Sequence, residues 1–363
     1  MSNKRYLDYI FSPLGLKRTK KVLHVNPTIR PVGLDNVPVE ITVHEYNNTS
    51  LEVVKLNRIE DCFQFLHSPT ISWINIGGLR KEDVENVCSH FGVHPLISED
   101  ILSVGQRPKM DEINGLVFCL MTMLSFNEDH GTVETEQISI VLGKTFVLSF
   151  QQIPGKDVFK SLRDKLKINS SKIRQSGADF LFYSLIDAMV DYYFVVMEKL
   201  GERIEVLEEQ IIRYANNKSL AHINMIRKEM ILLKRNITPA REVVGGLLRS
   251  DNELIEEKTE KYFKDVYDHV IQANDLAENY RDMMLNLQDL YLSNVNLRLN
   301  EVMKVMAIVT CLLAPATVIG GIFGMNFDKI PLLHNQWGFF ISVAVMLIVP
   351  VFMIVIFKKR GWF

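Results

Sequence analysis

Near the end of the chain, small and polar residues recur at a fixed interval inside an otherwise apolar stretch. Steps of seven pick out Asp289, Asn296, Met303, Thr310, Thr317 and Gly324. Seven residues are close to two helical turns, so on a helix these side chains share one stripe. Val305, Ile308, Leu312 and Ile319 fall elsewhere. Two kinds of chemistry suit such a stripe. Small residues let helices approach closely in lipid, and Gly320 with Gly324 has the small-xxx-small spacing for that. Hydroxyls on a pore wall can instead meet an ion's water shell. The stripe by itself leaves both open. Its continuation into Asn296 and the acid Asp289, before the apolar run begins, favours the wall of a water-filled path, because a packing seam needs no acid below it.

The stripe ends in Gly324-Met325-Asn326. Asn after a long helix is a common C-cap. A ring of Asn carboxamides, one from each of several chains, is also a set of neutral oxygen acceptors for a hydrated cation. Gly324 gives the backbone room to turn, and Met325 packs against neighbours.

The elements that must position these residues are two uncharged runs, 305–327 and 337–357. Each meets the roughly 20 residues that a helix needs to cross the hydrocarbon of a bilayer. Lys358, Lys359 and Arg360 follow the second run, and Arg298 and Lys304 precede the first. Positive flanks remain on the cytoplasmic side. Both termini are therefore expected inside, with a short outer loop, 328–336, carrying Asp328 and His334. Trp337 and Trp362 suit the two interfaces. Two spans cannot enclose a path alone, so several copies would have to build it.

The remaining 300 or so residues read as soluble protein. The net charge of -2 gives no sign of a nucleic-acid partner. Cys62, Cys88, Cys119 and Cys311 are scattered and form no metal-site spacing, which suits reduced thiols. No phosphate loop, nucleophile elbow or HExxH motif argues for an enzyme. Residues 1–30 form a basic tail without the apolar core of a cleaved signal. An α/β domain with a mixed sheet is expected over 31–175, with strands in "VPVEITVHEY", "LEVVKLN", "TISWINIGG", "GLVFCLMTMLSF", "QISIVLG" and "TFVLSFQQ". "KEDVENVCSHFGVHPLISEDILS" and "KDVFKSLRDKLK" read as helices, and "NEDHGTVETE" as a connection. A helical hairpin follows over 176–251, its second arm interrupted at Pro239. From 252 to 304 runs a stalk with apolar residues at helical spacing, such as Tyr262, Val266, Val270 and Leu276, which continues into the first span. Some 70 residues of helix measure on the order of 100 Å and need lateral support.

Several motifs together resemble the CorA family of divalent-cation transporters. They are "GMNF" closing the first of two C-terminal spans, the terminal "KKRGWF", "KYFKDVYDHVIQ" ahead of "NEVMKVM", "HPLISEDIL" and "QRPKMDE" in the α/β part, and "YSLIDAMVDYYF" in the helical part. The resemblance covers nearly the whole chain. It implies an α+β membrane protein that assembles as a funnel-shaped homopentamer, in the plasma (inner) membrane, with the first span of each chain lining one central pore. It implies a channel-type transporter of Mg²⁺, also of Co²⁺ and Ni²⁺, whose partners are copies of itself, lipid and metal ions. Gly324, Met325 and Asn326 would then form the selectivity filter. Gly321, Thr317, Ala314 and Thr310 would line the path, Met306 and Met303 its apolar constriction, and Asn300 and Asp289 its cytoplasmic exit. Glu99, Asp100, Asp187 and Asp265 would hold regulatory Mg²⁺ between neighbouring cytoplasmic domains, closing the pore when internal Mg²⁺ is high.

One departure stands out. Many magnesium-transporting relatives carry Met-Pro-Glu-Leu in the outer loop, where this chain has "IPLL", so Asp328 is its one outer-mouth acid. His334 in the same loop raises zinc as an alternative ion within the same fold. A membrane-anchored sensor or scaffold without flux is the alternative of another class; it accounts for the spans but not for the polar stripe.

Overall fold

The computed structural model describes residues 38–155, 158–326, 330–332 and 335–362. The basic tail, Asp328 and His334 lie outside the described residues. The chain divides into two compact units, residues 1–209 with 217–287, and residues 210–216 with 288–363.

The first unit is built on a seven-stranded sheet. Its strands are β1 (Glu40–Tyr46), β2 (Leu51–Leu56), β3 (Ile71–Gly77), β4 (Lys109–Ile113), β5 (Leu116–Asn127), β6 (Thr132–Leu142) and β7 (Phe146–Gln151), in the order β2-β1-β3-β7-β6-β5-β4. Only β3 and β7 pair in parallel, with Asn75 opposite Ser149; every other neighbour is antiparallel. The sheet is mixed, as the β-branched runs suggested. Alternation decides its faces. Ile41, Val43, Ile74, Ile76, Phe118, Leu120, Leu148 and Phe150 point to one face and form a core with a 3-10 helix (Ile59–His67), α1 (Lys81–His90) and α2 (Pro95–Leu102).

The opposite face carries α3 (Lys160–Leu166) and the long helices α4 (Ala178–Tyr214) and α5 (Asn217–Leu248). Tyr193 on α4 is fully buried and its hydroxyl donates to the Thr122 carbonyl at 3.0 Å. Glu229 on α5 accepts from the Val133 amide at 3.0 Å, and Arg203 donates to the Gly131 carbonyl. Burial raises the Glu229 carboxyl above its ordinary value, while the Val133 amide and Arg203 pull the other way. These bonds close the β5–β6 hairpin onto the helices.

Three local features differ from the sequence reading. The segment "KMDEI" is a strand at the sheet edge, and β6 begins at Thr132, inside the stretch read as a connection. Helix α5 runs unbroken through the buried Pro239. Here tertiary packing outweighs the local cost of a missing amide donor.

A 67-residue helix, α6 (Glu257–Phe323), contributes to both units, and α7 (Gly338–Lys359) belongs to the second. In the first unit α6 buries Phe263, Val266, Val270, Ala273 and Ala277, a succession of three- and four-residue steps. In the second unit the end of α4 and the segment after it are held to α6 by side chains on carbonyls. Asn294 donates to Ile211 at 3.1 Å and Arg298 to Ala215 at 3.2 Å. These bonds satisfy carbonyls that a helix end leaves open.

Candidate ion path and metal-binding cluster

Within the second unit, α6 has two unlike sides. Ile308 is buried, and Leu312, Pro315, Ile319 and Phe323 are half-buried. Met303, Met306, Thr310, Ala314, Thr317, Gly321 and Gly324 are all exposed. At 3.6 residues per turn the centres of these two sets lie about 180° apart around the helix. The polar and small stripe is therefore left uncovered by this chain, as are the flanking Val302, Val305, Val309, Leu313 and Val318. Asp289, Asn296 and Asn300 continue it within about 90° and are exposed too.

The threonines on the stripe are already partly satisfied. Thr310 donates to the Met306 carbonyl at 2.8 Å and Thr317 to the Leu313 carbonyl at 3.0 Å. Each hydroxyl proton is used within the helix, as is common for Thr in helices. What each oxygen presents outward is lone pairs, which suits the protons of a cation's water shell. After Phe323 the helix ends with the Gly324 amide on the Gly320 carbonyl at 2.9 Å and the Met325 amide on Ile322 at 3.3 Å. A Cβ at Gly324 would sit 3.1 Å from the Gly320 carbonyl, a tight contact that glycine avoids. Met325 and Asn326 follow, both exposed.

The acids proposed for regulation fall into different settings in the first unit. Asp187 on α4 is half-buried. Burial raises its carboxyl above the ordinary value, with the charge of Asp191 adding to it; the Tyr183 hydroxyl and His269 oppose the shift. Asp187, Asp191 and His269 bring ligand atoms within 4.8 Å of one another. Asp265 is exposed on α6, one turn before His269, and its charge is among the influences that raise the Tyr183 hydroxyl, after burial and Asp187. The Nδ1 atom of His269 is buried and has no hydrogen-bond partner among the described residues.

Asp100, at the end of α2, pairs with Lys109 at 2.5 Å and accepts from Gln106 at 2.9 Å. A cation at Asp100 would have to displace Lys109. Glu99 is exposed in an open cleft with His94 and Arg107. The structure thus brings Asp187 together with two residues that the sequence reading did not single out, Asp191 and His269. The signal for each pair was available, though not for the meeting of the two. Asp187–Asp191 and Asp265–His269 are both four-residue steps, which put both members of a pair on one helix face.

Residues 68–359 match the family model described as CorA-like Mg²⁺ transporter protein. The chain belongs to the CorA family. It is 41% identical over 324 residues to the cobalt/magnesium transport protein CorA of Thermotoga maritima, covering 89% of this chain and 92% of that one. The complete structure of the CorA magnesium transporter from Methanocaldococcus jannaschii has the same fold, with a TM-score of 0.72 at 22% identity, over 89% of this chain and 98% of that one. The cytoplasmic domain of ZntB from Vibrio parahaemolyticus is a more distant likeness, with a TM-score of 0.52 at 15% identity over 70% of this chain and 98% of that one. At these identities the two solved structures speak for the fold alone. The chain is thus a member of a family of magnesium and cobalt transporters, with helices long and apolar enough to cross a membrane.

Proposed function

We propose that the chain is a channel-type transporter that imports hydrated Mg²⁺, with Co²⁺ and Ni²⁺ as further substrates. Five copies would surround one path, with the polar stripe of each α6 turned inward. The observation that carries this reading is the uncovered stripe itself: the residues from Met303 to Gly324 at its positions lie opposite the side of α6 that its own chain shields. Facing lipid tails alone a stripe of Thr and Gly has nothing to gain; around a shared path its oxygens meet water, and a packing seam has no use for the acid Asp289 below it.

Mg²⁺ sheds its water reluctantly. Carboxamide oxygens at Asn326 would accept bonds from that water shell without the tight grip of carboxylates, so the ion can leave again. Met303 and Met306 form an apolar level that can close by losing water. Asn300 and Asp289 draw the cation out on the cytoplasmic side, and Asp328 supplies negative charge at the outer mouth.

Regulation would act through the first unit. Asp187, Asp191 and His269 offer two carboxylates and an imidazole, with Asp265 beside them, and Glu99 and Asp100 reach the same ions from a neighbouring copy. Carboxylates crowded together are stabilised by a cation between them, so internal Mg²⁺ would favour the closed state by binding it better than the open one.

The test is ion flux into liposomes holding the purified protein, with Mg²⁺, Co²⁺ and Zn²⁺ compared. Asn326→Ala should abolish flux or its ion preference. No flux of any of the three ions in the parent protein would leave a non-conducting anchored protein, and unchanged selectivity in Asn326→Ala would remove the filter assignment. Asp265→Asn should keep flux high when internal Mg²⁺ is high.

A further inference from the structure

A second polar site lies on the sheet itself, away from the acids and from the stripe. Where α3 lies along the face of β2, β1, β3 and β7, a cleft of about 400 Å³ opens. Elsewhere this face of the sheet is apolar, with Val117, Cys119, Ile138, Ile140 and Val147, apart from the buried Glu136, which accepts from the Ile153 amide at 3.0 Å. At the cleft it is not. Lys55, Thr42, Asn75 and Ser149 stand opposite one another in a single row across four strands. Asn75 and Ser149 are buried, Thr42 is half-buried and Lys55 is exposed, and the buried members persist only when something satisfies them.

The buried part of the row is satisfied internally, and in one direction. The Trp73 indole donates to Ser149 Oγ at 2.8 Å, Ser149 donates to Asn75 Oδ1 at 2.7 Å, and Asn75 Nδ2 donates to Gln151 Oε1 at 3.4 Å. Each donor fixes the orientation of the next group, so the amide of Gln151 must leave its Nε2 side over. Among the described residues that atom has no partner, although Gln151 is only 3% exposed and lines the cleft. The chain of bonds therefore ends at the cleft in an unused donor. The rim is cationic, with Lys55, Lys160, Arg163 and Lys167 set against the carboxylates of Glu40 and Asp164. One carboxylate is already matched, since Lys167 pairs with Asp164 at 2.8 Å. Lys167 holds the Asp164 carboxyl below its ordinary value, and Lys160 and Arg163 act in the same direction.

A buried leftover donor beneath a ring of cations is the complement of an oxyanion. We propose that this cleft binds a phosphate-bearing small molecule, with Lys55 and Lys160 meeting its charge and Gln151 donating to one of its oxygens. The volume lies in the range of pockets that hold small organic ligands, so it admits more than a bare phosphate. The cleft uses none of the residues assigned to the ion path or to regulation, and its ligand-binding stands apart from transport.

The test is calorimetric titration of the full-length, detergent-solubilised protein with inorganic phosphate and, separately, with ADP. The buffer is stripped of divalent cations, so that chelation by the nucleotide cannot imitate binding. One saturable site per chain is expected for at least one probe. Phosphate binding equal to ADP binding would identify the phosphate group as the whole determinant; ADP binding alone would add an organic half. Lys55→Glu with Lys160→Glu should weaken binding by at least about tenfold, the scale of charge-assisted hydrogen bonds lost at two positions. Lys144→Glu, a charge reversal at an exposed site outside the cleft, should leave it unchanged. Gln151→Glu should also weaken binding; if that buried change lowers the melting temperature, the surface pair still decides. No saturable binding of either probe, the same affinity in the surface pair as in the parent, or an equal loss in Lys144→Glu would each overturn the proposal.

Discussion

Helices α4 and α7 both have the length and apolar composition of a membrane span, yet their surroundings are opposite. The most apolar window of α4 is 67% buried within the protein, and that of α7 is 0% buried. The apolar window of α6 resembles α7, at 6%. The difference follows from how the apolar residues are arranged. In α4 they form a broad side, Leu181, Leu185, Met189, Tyr193 and Val196, that the protein covers, while Asp191, Glu198, Glu202 and Glu205 remain outside. In α7 apolar residues go all the way round, and no side is polar. A helix of the first kind finds its partner in a sheet; one of the second kind needs lipid. Apolar composition alone therefore does not mark a span, whereas the distribution around the helix does.

The strongest way to break this comparison is to put a charge into each helix. Leu185→Arg would bury a guanidinium without a partner, at a cost of several kcal/mol. It should abolish the cooperative melting of the first unit while the protein still enters membranes. Ile348→Arg, near the middle of α7, should cost about 2.5–3.5 kcal/mol of insertion. It should lower the membrane-integrated fraction on carbonate extraction while the first unit melts normally. If the two variants gave the same phenotype, the contrast between a core helix and a lipid-facing one would be lost.

The two sides of α6 invite the next comparison. Thr317→Val keeps shape but deletes the oxygen that the stripe presents. Loss of one hydrogen bond of about 1 kcal/mol predicts a fall in flux of roughly fivefold. Ile319→Val, on the shielded side, should leave flux within about twofold, since it removes only one methylene from a packing contact. Flux assays on the pair in liposomes separate a pore wall from a packing seam. Equal effects would favour the seam.

The metal cluster sharpens a different contrast, between a carboxylate held by protein and one left waiting. Asp100 has Lys109, whereas Asp187 has a second carboxylate beside it. Because the folded-state value of Asp187 is raised, its contribution to stability is present at low pH and is lost as pH rises through that value. The metal-free protein should therefore gain stability on mild acidification, and stabilisation by Mg²⁺ should fade over the same interval as protons compete for the site. Asp187→Asn should flatten both dependences and raise the melting temperature of the metal-free form at neutral pH. Melting curves with and without Mg²⁺ across about pH 4 to 7 read all three. A melting temperature of Asp187→Asn that still rises with Mg²⁺ as in the parent would remove Asp187 from the site.

How much of this was legible in the sequence follows the same physics. The long helices were, because their periodicity extends over many turns. The apolar strands β3, β5 and β7 were, because burial on both faces imposes continuous apolar runs, and β1 was by the alternation of Ile41 and Val43 with polar residues. The strand β4 and the first half of β6 were not, since "KMDEI" and "TVETE" carry the charges that edges and rims of sheets carry. The break expected at Pro239 does not occur: the helix continues through it, and that residue is buried among its neighbours. At the candidate sites, the stripe on α6 could be read by counting. The association of Asp187 with His269 could not, because it joins α4 to α6 across about 80 residues of chain, a contact set by tertiary packing and not by any local pattern.

The smallest predicted effect tests what keeps α4 in the protein. Tyr193 is fully buried, and its one hydrogen bond, to the Thr122 carbonyl, ties the middle of α4 to β5. Tyr193→Phe keeps the ring and its packing but leaves that carbonyl with one partner fewer. The expected loss is about 1 kcal/mol, a fall in melting temperature of roughly 2–4 °C for a unit of this size. Burial of the ring contributes more than the bond, so Tyr193→Ala should lose about 3–5 kcal/mol by analogy with other large-to-small changes. The ratio of the two is the informative quantity. If Tyr193→Phe cost nearly as much as Tyr193→Ala, the polar tie and not the apolar side would be what distinguishes α4 from α7. A small effect of Phe beside a large effect of Ala would show that a continuous apolar side, covered by the sheet, is sufficient to keep a span-like helix out of the membrane.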